Sequence, residues 1–397
     1  MNNIIKKRRR IGIDARFYGP IGKGLGRYVQ EVVDNILKLD ADSDNPSEYV
    51  IFLSPENFSE FSSTHPFVKK CLISLRWYSW REQIILPFIF YKEHLDLLHF
   101  PHFNVPIFTP VPFVVTIHDL ILTRFPSRRA SMLPAALYWL KQLAYRLVIS
   151  VAVRRAQAII TVSEFTRRDI INQFHAKPKK LFVTYEGVAD LNKKSDIASV
   201  IDDDVLHRYG IRHPFLLYVG NAYPHKNLER LLAVFARIYA VNSDLHLVMV
   251  GKNDYFYQRV KNKAHHLGLW SEDRDKNAVV FPGYVPDEYL DILYRRALVY
   301  VFPSLYEGFG LPPLEAMSRG CPVASSNQAS LPEIIGEAAM YFNPYDQEEM
   351  VEKLEQLILD DDRRRQLSIQ GRQHVLAFSW LKCAQKTLEI YHQVLSV

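Results

Sequence analysis

The chain has 397 residues, 48% of them hydrophobic and 23% charged, with a formal net charge of +6. It is too long for one core and too apolar for a disordered chain, so two globular domains are expected. No apolar run reaches the ~20 residues of a membrane span, and the basic start Lys6-Lys-Arg-Arg-Arg10 leads into a strand-like run, not into the apolar core of a signal peptide.

In chain order, short β-like runs alternate with helical patterns, the arrangement of doubly wound parallel sheets in the α/β class. The first half offers strands at residues 10–14, 49–53, 97–100, 113–118, 158–162 and 181–185. A helix over 26–39 carries Val29, Val32, Val33, Ile36 and Leu37 on one face, and Ser163 is placed to cap a helix through Phe174. Residues 187–214 are polar and lack strand-like runs, so they read as a linker with a short helix. A second series follows: strands at 215–219, 246–250, 278–281, 298–302 and 322–325, and helices at 227–239 and 255–267. The expected domains are residues 1–190 and 200–379, with a last helix over 380–397.

The richest segment is Glu307-Gly308-Phe309-Gly310-Leu311-Pro312-Pro313-Leu314-Glu315. A buried strand precedes it and a helix follows, so Glu307 falls on a strand-to-helix loop and Glu315 about one turn inside the helix. Gly308 and Gly310 let backbone amides approach a ligand at the positive end of the helix dipole. Carboxylates beside an anion-binding turn suit a phosphorylated sugar. A loop carboxylate next to two glycines is also expected to matter little for packing.

Three further elements have the same character. Gly19-Pro-Ile-Gly22-Lys-Gly24-Leu-Gly26-Arg27 is a glycine-rich loop between a strand and a helix. His118-Asp119 ends a strand, where open α/β sheets bind ligands. Gly220-Asn221-Ala-Tyr-Pro-His-Lys226-Asn227 joins a strand to a helix, and a lysine there opposes the dipole unless it meets a diphosphate.

Residues 307–323, EGFGLPPLEAMSRGCPV, resemble the E-x7-E signature of retaining GT-B glycosyltransferases of family 4. The run Thr116-Ile-His118-Asp-Leu120 and the Lys226-Asn227 pair are similar to other elements of that family, closest in wording to bacterial mannosyltransferases of O-antigen and exopolysaccharide assembly. The resemblance implies two Rossmann-like domains facing across a cleft, the first binding acceptor and the second the nucleotide sugar, with the last helix packing back on the first. It implies a hexosyl transfer, first choice mannose from GDP-mannose and then a UDP-sugar, to a glycan or lipid-linked acceptor, without cofactor. His118 and Glu307 would be catalytic. The donor would be held by Lys226, Glu315, Asn221, Gly308, Phe309, Gly310, Leu311, Gly24, Gly26 and Arg27. Asn221 stands where many members carry arginine, and Glu186-Gly187-Val188 where the family often has NGVD. A sugar-nucleotide epimerase or a silent glycan-binding scaffold are the alternatives.

No metal site is expected, because the acidic run Asp202-Asp-Asp204 lies in the linker. Cys71, Cys321 and Cys383 show no ligand spacing and read as thiols of a reducing, cytoplasmic compartment. Residues 1–190 carry 26 Lys and Arg against 17 Asp and Glu, a net of +9, while the remainder is −3. With no nucleic-acid motif, an anionic membrane surface is the expected partner of the basic half, through Lys6–Arg10 and residues 124–155 including Arg128 and Arg129. The aromatic stretch 77–91 and residues 124–155 read mainly as faces packed on the first sheet.

Overall fold

The computed structural model describes residues 8–20, 23–125, 134–188, 202–273 and 277–396. It divides into two compact units: Met1–Arg124 with Leu133–Gly187 and Phe378–Val397, and Phe125–Met132 with Val188–Ala377.

The first unit opens with β1 (Arg10–Asp14), α1 (Lys23–Ala41), β2 (Glu48–Leu53), β3 (Val68–Leu72), α2 (Trp80–Lys92) and β4 (Leu97–Phe100). It continues with β5 (Phe113–Ile117), α3 (Ile121–Arg124), α4 (Ala135–Arg155), β6 (Ala158–Thr161), α5 (Glu164–Phe174) and β7 (Leu181–Val183). The strands form one sheet in the order β3-β2-β1-β4-β5-β6-β7, with every pair parallel. Its central strands are buried on both faces, as their unbroken apolar runs require. The sequence reading missed β3. Its Val-Lys-Lys-Cys-Leu run has no buried residue, because β3 is an edge strand, where lysines guard the open side. Ser163 caps α5 as expected, its hydroxyl accepting from the Thr166 amide at 3.0 Å.

The second unit holds α6 (Asp202–Arg208), β8 (Phe215–Val219), α7 (Leu228–Val241), β9 (His246–Val250), α8 (Tyr255–His266), β10 (Val279–Gly283) and α9 (Asp287–Arg296). Then come β11 (Val299–Phe302), α10 (Leu311–Ser318), β12 (Val323–Ser326), α11 (Leu331–Ile335), β13 (Ala339–Phe342), α12 (Gln347–Leu359) and α13 (Asp361–His374). Its sheet, also all parallel, runs β10-β9-β8-β11-β12-β13. The acidic run 202–204 is the first turn of α6 and not linker: Asp202 pairs with Arg295 and Asp203 with Arg296 of α9.

The chain closes with α14 (Trp380–Leu395), which returns to the first unit and packs along α1. Tyr391 of α14 hydrogen-bonds His99 of β4 at 2.5 Å, and Trp380 meets the Tyr28 ring of α1 edge-on. In each sheet the strand order reverses once, between β1 and β4 and between β8 and β11. Ligands of open α/β sheets bind outside the carboxyl ends of the strands at such points.

Candidate active site

In the second unit the two loops leaving the reversal point meet. The chain leaves β8 through Gly220 and Asn221, makes a turn over Pro224–Lys226, and enters α7 at Asn227 with φ +60. The chain leaving β11 reaches Glu307. Lys226 Nζ donates to Glu307 Oε1 at 2.6 Å, with 11% of each side chain exposed. The ammonium also lies 5.3 Å from the centre of the Phe302 ring. The Leu305 amide donates to the His225 carbonyl at 2.7 Å, tying the two loops together. Burial, with Lys226 beside it, lowers the His225 pKa to about 4, so this imidazole is neutral near pH 7.

The turn after Glu307 is held from below. Buried Ser330 donates to the carbonyls of Glu307 at 3.0 Å and Phe309 at 2.9 Å. Gly308 and Phe309 are buried, and Gly310 takes φ +115 as the residue before α10. A Cβ there would be strained by that φ and would come within 2.9 Å of Leu331. Pro312 and Pro313 follow Leu311 in the first turn and carry no N–H. The donors this helix start can present are therefore the amides of Gly310 and Leu311. Glu315 is half-buried on α10 and accepts from the Tyr294 hydroxyl of α9 at 3.4 Å. Asn221 shapes its own turn: its side chain accepts from the Tyr223 amide and its carbonyl from the Tyr218 hydroxyl.

His118, Gly24, Gly26 and Arg27 belong to the first unit. His118, just past β5, has Nδ1 3.1 Å from Glu186 Oε1 and Nε2 3.0 Å from the Pro101 carbonyl. Neither a carbonyl nor an ionised carboxylate donates, so both bonds form together only when the ring carries two protons. Burial opposes that charge, but Glu186, the Pro101 carbonyl and Asp119 outweigh it, and the His118 pKa lies above its ordinary value. The Tyr28 ring stands edge-on against the imidazole at 4.5 Å.

The glycine-rich segment departs from expectation. Gly24, Gly26 and Arg27 lie inside α1, which begins at Lys23, and not in a loop ahead of it. A Cβ on Gly26 would fall 2.0 Å from the Gly19 carbonyl oxygen and 2.7 Å from that of Phe17, whereas Gly24 faces open space. Gly26 thus lets the preceding loop fold over the helix start.

The sequence reading missed a buried polar network at the reversal point of the first sheet. Arg16, 1% exposed, donates to both Asp14 oxygens at 2.7 Å and to Glu82 at 2.6 Å, and Asn104 donates to Glu82. The signal was there: Glu82 is a lone acid in the apolar stretch 77–91, and a buried acid needs a partner. Phe17 and Trp77 stack beside the network, 4.2 Å between ring centres.

The pattern described as Glycosyltransferase Family 4 matches residues 24–190, and that of Glycosyl transferases group 1 matches residues 209–374. The chain belongs to glycosyltransferase family 4. This family-4 chain is 32% identical over 242 residues to O-antigen chain mannosyltransferase B of Escherichia coli, covering 59% of this chain and 60% of that protein. It is 27% identical to the serotype-specific mannosyltransferase WbdA of Escherichia coli, spanning only 37% of that longer protein. Against O-antigen chain mannosyltransferase RfbU of Salmonella typhimurium the identity is 26%, over 85% of this chain and 89% of the relative. Among solved structures, sucrose-phosphate synthase from Thermosynechococcus elongatus superposes with a TM-score of 0.75 at 19% identity, covering 98% of this chain and 100% of that one. WaaG, a glycosyltransferase involved in lipopolysaccharide biosynthesis, gives 0.71 at 14% identity over 96% and 99%. These likenesses identify the GT-B fold of this family-4 chain.

Proposed function

We propose that this family-4 glycosyltransferase transfers mannose from GDP-mannose, with retention of anomeric configuration, to a glycan or lipid-linked saccharide. A UDP-hexose is the second choice of donor. The observation that carries this reading is the Lys226–Glu307 pair at the reversal point of the second sheet, beside a helix start with free amides. The relatives' names, two of them O-antigen mannosyltransferases, support the choice of sugar.

On donor arrival Lys226 exchanges the Glu307 carboxylate for the diphosphate. Glu307 is then free to accept from sugar hydroxyls. Asn221 and the amides around Gly308, Phe309, Gly310 and Leu311 line the phosphates, and Glu315 accepts from the ribose. The bond between the anomeric carbon and the phosphate oxygen breaks, and its electron pair leaves with the diphosphate. Lys226 and the α10 terminus stabilise that charge. The acceptor hydroxyl bonds to the same face of the sugar, and its proton passes to the departing phosphate oxygen. In the first unit, which takes the acceptor, His118 exchanges its Pro101 hydrogen bond for one from Nε2 to the donor hexose, while Gly24 and Arg27 at the start of α1 face the phosphates or the acceptor and Gly26 seats the loop before them. We assign the enzyme to the cytoplasm, since Cys71, Cys321 and Cys383 are all free thiols.

The test is a panel of nucleotide sugars, by thermal shift and then by turnover with and without EDTA, with the product anomer read by NMR. GDP-mannose is expected to shift and turn over in EDTA, and Lys226→Ala to cost ~1–3 kcal/mol in kcat/KM. Release of free sugar without acceptor would favour an epimerase-like reaction. No shift with any donor would favour a scaffold.

A further inference from the structure

Helices α2 and α4 are apolar on two opposite faces, and only one face of each is covered. The crossovers β3→β4 and β5→β6 advance the same way along the sheet, so both helices lie on the same side of it. Toward the sheet α2 turns Glu82, Leu86 and Phe90, and α4 turns Tyr138, Tyr145 and Ile149. Most of these join one buried cluster with Val115 and Ile117 of β5.

At ~100° per residue the opposite faces carry a second stripe on each helix. On α2 it is Trp80, Ile84, Phe88 and Tyr91, with Trp80 72% and Phe88 66% exposed. On α4 it is Trp139, Leu140, Leu143 and Leu147, with Leu143 67% exposed. The loop after β4 ties the helices side by side. The Ile107 amide donates to Gln83 of α2, the Ile107 carbonyl accepts from Arg155 of α4, and the neighbouring Phe108 is 77% exposed. Nine large apolar side chains, each more than half exposed, present on the order of 1000 Å², where a typical monomer's largest apolar patch is a few hundred.

Charge decides what covers this face. Helix α4 has Lys141, Arg146, Arg154 and Arg155 and no acidic residue. Lys141 and Arg146 flank its outer stripe on opposite sides, where long cationic stems reach upward while the apolar stripe sinks. On α2 the exposed charges are Arg81 and Lys92, and its one acid, Glu82, is buried against Arg16. A second copy of the chain would bring the same uncompensated cations face to face. We propose that the outer faces of α2 and α4 form an interfacial docking surface for an anionic phospholipid bilayer, entered by the aromatic and leucine stripes and held by the flanking cations.

The test uses the full chain with vesicles of phosphatidylcholine alone and of phosphatidylcholine with phosphatidylglycerol. Flotation is expected with the anionic vesicles, weakening as salt rises through the ~10 Å screening range. Brominated lipid is expected to quench the tryptophan emission of the unaltered protein, a readout that needs no variant. Phe88→Ser with Leu143→Ser is expected to weaken partitioning at least tenfold. Lys141→Glu with Arg146→Glu is expected to remove the preference for anionic lipid. Both pairs leave nucleotide-sugar binding unchanged, because none of these residues lies at either reversal point. Absence of flotation and of quenching at low salt overturns the proposal. So does a dimer in solution that the Phe88→Ser and Leu143→Ser pair dissolves, since a second copy would then be the cover.

Discussion

Lys226→Met removes the cation but keeps the length of the stem, and leaves the Glu307 carboxylate almost buried without its counter-charge. At 2.6 Å and an effective dielectric near 20, the gross attraction in the pair is ~6 kcal/mol. Desolvation of two ions with 11% of each side chain exposed takes back much of that. Removing one partner is nevertheless expected to cost about 3 kcal/mol, because the surviving charge keeps its desolvation penalty and loses its compensation. Glu307→Gln is expected to cost less, since the lysine stem can carry its ammonium toward water. The double variant is then expected to be more stable than the sum of single effects implies, by about 2 kcal/mol. The assay is urea unfolding read by hydrogen exchange at β8 and β11, which reports the second unit alone. Strict additivity of the two single changes would refute the reasoning, for it would mean that the ion pair carries no coupling.

Glu186→Gln is expected to lower the His118 pKa. A histidine whose folded pKa is raised stabilises fully below its unfolded value of ~6.5, and that contribution is lost as pH rises through the folded value. The stability gap between wild type and Glu186→Gln should therefore be widest near pH 5.5 and narrow by pH 8.5 in denaturant melts. Burial raises the Asp34 carboxyl to about 6 against the Tyr18 hydrogen bond, with Glu31 adding to the rise, so this group favours folding at low pH and loses that as pH rises through about 6. Asp34→Asn should accordingly stabilise at pH 8 by on the order of 1 kcal/mol, discounted for partial exposure, and by about half as much at pH 5. Gly26→Ala should cost at least ~2 kcal/mol from the backbone clash, whereas Gly24→Ala should leave melting unchanged or slightly raised. A loss of turnover in Gly24→Ala would then report contact with a ligand and not a damaged fold.

Much of the architecture could be read in advance because buried parallel strands are written as unbroken apolar runs, as in Phe113–Ile117 and Phe215–Val219. The strands that escaped, β3 and β13, lie at sheet edges: β3 carries two lysines where the apolar demand is relaxed, and β13 is apolar but only four residues long. Helix starts were legible where a side chain caps them, as at Ser163, and misplaced where the first turn is built of glycines, as at Lys23. Of the site, the two motifs bearing Lys226 and Glu307 were visible separately. Their direct pairing was not, because 81 residues and the strand order of the sheet lie between them. Glu307 also proved to be part of a buried ion pair and not a packing-neutral loop charge. Glu186 was visible only as a departure from a pattern, since what it does depends on a ring 68 residues away. The stretches 77–91 and 124–155 contain both a sheet-facing and an outward stripe, and composition alone cannot count faces. Arg128 and Arg129, and the start of the Lys6–Arg10 cluster, lie outside the described residues.

The return of α14 to the first unit has a consequence for biosynthesis. On a ribosome the second unit emerges almost entirely as one uninterrupted stretch, Val188–Ala377, while the first waits for the last helix before α1 is covered and Tyr391 can bond His99. The part made first is therefore finished last. Throughout elongation the helix bearing Gly24, Gly26 and Arg27 has one side without its packing partner, a period in which chaperones and proteases have access to it.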